Sequence, residues 1–136
     1  MIPRQLQRAE FRFIKIKSDK IAIEKGWQKD SNYLYYESEF EKWLLEHKRY
    51  GIVCGFGGLL VVDFDDRKTQ EEIMPLLPET FTIKTAGKGL CHLYYMVDNP
   101  VNHKLGVADL QGEGAYVVGA SSKMLYNKMY DIIKDI

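Results

Sequence analysis

The chain has 136 residues, 46% of them hydrophobic and 12% aromatic, with 19 Lys+Arg balanced by 19 Asp+Glu for a formal net charge of zero. That length suits one domain spanning residues 1–136 with a real core, and that apolar content excludes a disordered chain. A zero balance excludes the class whose overall charge alone grips nucleic acid, and no run approaches the roughly 18 apolar residues of a membrane span.

Basic residues nevertheless crowd the start of the chain: Arg4, Arg8, Arg12, Lys15, Lys17, Lys20, Lys25 and Lys29. They read equally as a solvated face or as one that contacts phosphates. Cys54 and Cys91 form no C-x-x-C pair, so a structural zinc site is not expected. Two cysteines and an N-terminus without an apolar signal core fit a soluble protein of the reducing cytoplasm, with no membrane partner.

Phe11–Lys17 is aromatic and β-branched and predicts a strand, followed by a loop through Gly26-Trp27. Phe40, Trp43, Leu44 and His47 recur at helical spacing, which predicts an amphipathic helix over 37–48 with Ser38 or Ser31 as its cap. Residues 51–55 and 59–65 predict two buried strands, joined by Phe56-Gly57-Gly58 as a hairpin turn. A helix follows over 68–77, capped by Asp66 and ended by Pro78. Residues 80–85 and 91–97 predict strands around the turn Ala86-Gly87-Lys88-Gly89. Asp98-Asn99-Pro100 breaks the second of these, and His103 and Lys104 read as a solvated loop. Short strands over 106–110 and 115–118 flank the turn Gln111–Gly114, and the last segment closes the fold as a strand or a helix. Strands, a helix and then more strands with tight turns predict an α+β domain on a largely antiparallel sheet.

The most informative stretch is Val61-Val62-Asp63-Phe64-Asp65. Residues two apart on a strand share a face, so Asp63 and Asp65 project side by side. Two adjacent carboxylates repel unless a cation lies between them, and oxygen ligands favour a hard dication such as Mg²⁺ or Mn²⁺. Asp109 ends another apolar run and His92 opens a third. Glycines beside Lys88 let backbone N–H groups approach an anion, although the turn lacks the ending of a P-loop. Together these residues predict metal-assisted phosphoryl chemistry.

In order, VVDFD at 61–65, GKGLCHLYY at 87–95 and ADLQGEGAYVVGASS at 108–122 resemble the archaeo-eukaryotic primase superfamily. The closest likeness is to the prim-pol (bifunctional DNA primase/polymerase) family of plasmids, viruses and mobile elements. Gly26-Trp27 and Gly51–Gly55 are similar to its upstream elements. The chain departs from the family pattern at Leu90, at Tyr50 and in the stretch Gly119-Ala120-Ser121-Ser122.

The resemblance implies a core related to the RNA-recognition-motif fold with an N-terminal α/β unit packed against it. It implies a DNA primase/polymerase, a nucleotidyltransferase in which Asp63, Asp65 and Asp109 are catalytic and bind two divalent metals. His92 would contact the nucleotide's phosphates, helped by Lys88 and Gly89. The partners it implies are nucleoside triphosphates, template/primer DNA and a helicase or additional domain. Two other readings use the same residues: a metal-dependent nuclease or phosphohydrolase, and a catalytically weak nucleotide- or DNA-binding module in replication initiation.

Overall fold

The computed structural model describes all 136 residues. In chain order the elements are β1 (Arg12–Ile14), α1 (Ser38–His47), β2 (Gly51–Val53), β3 (Leu59–Phe64), α2 (Arg67–Ile73), β4 (Thr82–Lys84), β5 (Cys91–Met96), β6 (His103–Lys104), β7 (Ala108–Gln111), β8 (Tyr116–Val118) and β9 (Asp131–Lys134). The fold is α+β, and every paired strand is antiparallel to its neighbour.

The strands form two sheets, one ordered β1-β2-β8 and one ordered β6-β7-β3-β5-β4-β9. In the larger sheet β5 lies between β3 and β4, so β3, α2 and β4 make a split β-α-β unit. The chain leaves the first sheet after β2, builds most of the second, and returns to the first only at β8.

Alternation along β3 assigns its two faces. One face packs against the three-stranded sheet, where Leu59, Val61, Ile83 and Tyr94 join Phe13, Phe40, Tyr50 and Ile52 in the main core. On the other, Val62, Phe64, Cys91 and Leu93 form a smaller cluster covered by Met74 and Leu77. Cys54 and Cys91 are both free thiols, and burial pushes the Cys54 thiol up to about 12. No helix is long and apolar enough to cross a membrane.

The structure corrects several local expectations. Residues 51–55 and 59–65 are not a hairpin, because β2 pairs with β1 and β8 while β3 pairs with β5 and β7. Gly57 and Gly58 do take positive φ, 66° and 76°, but with Gly55 at 95° they swing the chain from one sheet to the other. A Cβ on Gly58 would lie 2.4 Å from the Val97 carbonyl oxygen, so only glycine fits there.

Neither Ser31 nor Ser38 caps α1. The cap residue is Glu37, whose carboxylate instead accepts from Leu34 N at 2.5 Å and shapes the entering turn. Asp66 does cap α2, accepting from Thr69 N at 2.9 Å and from its hydroxyl at 2.8 Å. That helix stops at Ile73 and tightens into a 3-10 turn over Met74–Leu76, because Pro75 has no N–H to continue the α ladder. His103 and Lys104 are exposed, yet they form a short edge strand against β7 rather than a loop. The final segment closes the sheet as a strand, β9, beside β4.

Candidate active site

Register builds the site. Asp63 on β3 stands directly opposite His92 on β5 and directly opposite Asp109 on β7. Residues opposed in an antiparallel pair share a face, so Asp109, Asp63 and His92 form one row across three strands. One step along the same face, Gln111 opposes Val61. Asp65 lies just past the strand end and stays in register, its N–H donating to the Val107 carbonyl at 2.9 Å.

Beside this row opens a cavity of about 550 Å³, walled by Asp63, Asp65, Lys88, His92, Gln111 and Lys20 among others. That volume suits a small-molecule ligand. The cavity lies between the two sheets: Tyr116, Val117 and Val118 of β8 form part of its wall. Asp109 lies beside the cavity rather than in its wall, and its Oδ1 accepts from Leu105 N at 3.0 Å and Gly106 N at 3.3 Å.

The two aspartates of the pair meet different surroundings. Asp63 is half-buried. Its Oδ1 lies 3.1 Å from His92 Nε2, and its Oδ2 accepts from Gln111 Nε2 at 3.3 Å. Burial pushes this carboxyl up, but His92, Gln111 and the charge of Lys20 outweigh it and hold the group below its ordinary value. Asp65 has no such donors. Partial burial and then the charges of Asp63 and Asp109 push it up, against a smaller opposing pull from Lys88.

His92 is 6% exposed, and its Nδ1 has no hydrogen-bond partner in the protein. A buried polar atom without a partner is costly. The glycine turn carries Lys88 and Gly87 into the cavity, with Gly87 at φ 91°. Arg67 Nη2, at the start of α2, donates to the Lys88 carbonyl at 2.9 Å and steadies the turn from behind. Gly89 sits on that rear side, where a Cβ would come within 2.9 Å of the Lys84 side chain.

The donor set is three carboxylates, which suits a hard dication. Burial first, and then the charges of Asp63 and Asp109, raise Asp65, and a cation would offset the second of these. The carboxylates do not form a ready-made cage, since no three His, Cys, Asp or Glu side chains sit close enough to hold a metal as they stand. The protein's own donors occupy both Asp63 oxygens and one from Asp109.

Lys20 and Gln111 are the residues that sequence reasoning did not place here. Gln111 stands two positions after Asp109, so strand periodicity alone could have found it. Nothing local marks Lys20. Of the three tyrosines near the motifs, only Tyr116 reaches the cavity. Tyr94 is buried in the core, and Tyr95 donates to the Pro78 carbonyl at 2.7 Å on the other face. Some of the basic residues at the start of the chain are engaged within the protein. Arg8 pairs with Glu10, Lys15 pairs with Glu24 and Glu39, and Arg12 donates to the Ala9 and Phe11 carbonyls.

No protein with a curated description matches the chain. The family described as bifunctional DNA primase/polymerase, N-terminal, matches residues 4–136. With that match spanning nearly the whole sequence, and the carboxylate row lying within it, the chain belongs to the Prim-Pol family of bifunctional DNA primase/polymerase domains.

Proposed function

We propose that this cavity carries out template-directed nucleotidyl transfer, joining a nucleoside triphosphate to a primer 3′-hydroxyl with release of pyrophosphate. The observation that supports it most is the row Asp109–Asp63–His92 across three strands, with Asp65 beside it and a lysine-bearing glycine turn on the same cavity. Asp63, Asp65 and Asp109 would hold two divalent cations, Mg²⁺ or Mn²⁺, which supply positive charge at the attacking and leaving oxygens.

The chain's own groups do the rest. His92, fixed through Nε2 by Asp63, would contact the phosphate chain from the cavity wall. Lys88 and the turn's backbone bring positive charge to the phosphate chain. Gln111 keeps the Asp63 carboxylate turned towards the cavity. Little covalent work falls to the protein, because phosphoryl transfer depends mainly on position and charge.

Residues 1–136 work as one catalytic domain in this reading, since the cavity draws on both sheets. Zero net charge points to a helicase or further domain as the source of much of the grip on template DNA. The family likeness noted above supports a role in replicating a plasmid, virus or other mobile element.

The test is a primed template incubated with labelled dNTPs and Mn²⁺, scored for elongation against degradation. Elongation that disappears with a chelator and in Asp63→Ala supports the proposal. Degradation without elongation favours the nuclease reading. Tight DNA binding with no metal-dependent turnover favours a binding module.

A further inference from the structure

Lys20 is the left-handed residue of a tight hairpin turn between Ile16 and Ala22. It stands at φ 80°, in the left-handed region that a side chain with a Cβ rarely enters. Glycine is the usual residue there, because it carries no such cost. Strained backbone that persists in a fold is often held for function.

Here the strain is held by named contacts. Lys17 N donates to the Ile21 carbonyl at 2.8 Å and Lys20 N to the Lys17 carbonyl at 2.9 Å, closing a tight turn. Ile16 pairs with Ala22 across its base. Tyr116, on β8, then pins the tip: its hydroxyl donates to the Lys20 carbonyl at 2.5 Å and accepts from Ala22 N at 3.1 Å. Trp27 packs edge-on against the Tyr116 ring at 4.7 Å and fixes it in turn.

The held side chain reaches the cavity. Lys20 shares its wall with Asp63, Lys88 and His92. It belongs to no ion pair, so its ammonium is uncommitted. The glycine turn brings Lys88 in from the six-stranded sheet, while Lys20 arrives from the side of β1 and β8. Two free cations on one small cavity fit a short polyanion better than an extended strand.

We propose that Lys20 contacts the phosphate chain of the incoming nucleotide from the side opposite in origin to the glycine turn, and that Tyr116 is the positioning residue that holds it there. This rests on the nucleotidyl-transfer reading and adds to it a residue outside the carboxylate row.

Lys20→Gly separates function from fold, because glycine relieves the strain while removing the ammonium. Its thermal midpoint should rise, and its Kd for dATP, measured calorimetrically with Ca²⁺ in place of a reactive metal, should weaken by roughly 10-fold or more. Lys20→Arg should recover part of that affinity. Tyr116→Phe should weaken dATP binding less, and adding it to Lys20→Gly should cost little more, since both act through one contact. Affinity for primed duplex DNA should stay at the wild-type value in all three.

Wild-type dATP affinity in Lys20→Gly would overturn the inference, as would a lower midpoint or a loss confined to DNA binding. If the wild type elongates primers while Lys20→Gly binds and incorporates dATP equally well, only this inference fails. If the folded wild type binds no dATP, the nucleotidyl-transfer reading fails and this inference with it.

Discussion

The two faces of the six-stranded sheet are cut from alternate residues of the same strands, yet they do opposite work. On the α2 side, Val62, Phe64, Cys91 and Leu93 exclude water and hold a helix. On the other side, Asp63 and His92, their immediate neighbours in sequence, line a cavity. The difference teaches that β3 is a precise instrument: both its faces are packed, and a slip of one residue in its register would carry the carboxylates out of the cavity and into the smaller cluster. The apolar face sets the register, and the register aligns Asp109, Asp63 and His92.

Adjacent substitutions break this contrast most sharply. Phe64 is 1% exposed, so Phe64→Ala should cost about 3–5 kcal/mol of stability in urea unfolding while the folded fraction keeps its activity. Asp63→Asn should do the reverse: primer extension falls by roughly 10²-fold or more, with a far smaller loss of unfolding free energy. If both variants failed chiefly by unfolding, the division of labour between the faces would not hold.

Gln111→Leu probes the supporting contact to Asp63. Mn²⁺ affinity, read by electron paramagnetic resonance, should weaken about 10-fold, the usual scale for a residue that orients a ligand. Unchanged affinity would mean that His92 alone sets the carboxylate. On the α2 side, Asp66→Ala should remove about 1 kcal/mol by uncapping the helix, with no effect on Mn²⁺ binding.

The smallest effect is also the most diagnostic. The raised Asp65 carboxyl contributes stability below its unfolded-state value and loses it as pH rises through the folded one. Asp63, held low, does the opposite: its contribution is present above the unfolded value and is lost as pH falls through the folded one. Asp65→Asn should therefore raise the melting temperature at neutral pH, and the gain should vanish in acid once the wild-type carboxyl is protonated. Mn²⁺ should stabilise the wild type more than Asp65→Asn.

Much of this was legible in the sequence wherever a local rule governs. An apolar run gave β3 and an aromatic-rich one β5, the Asp66 cap followed from its place before a helix, and the glycines beside Lys88 announced a turn. Rules of this kind failed where partners are distant. Gly57-Gly58 looks like a hairpin because positive φ is a local signal, whereas which sheet each strand joins is not. Pro75 stands inside the span 68–77 read as one helix and cuts α2 short. The carboxylate row could be suspected from three separate motifs, but Lys20 could not. Its position depends on a tyrosine hydroxyl 96 residues further along.

The late return of the polypeptide to its first sheet has a consequence for biosynthesis. β2 pairs on one side with β1 and on the other with β8. As a nascent chain leaves the ribosome, one edge of β2 stays without its neighbour until Val118 has emerged. The amino-terminal layer must therefore wait for β8, and pairings so distant in sequence make for slow folding. A chaperone that shields this open edge should raise the yield of active protein more than one acting on completed chains.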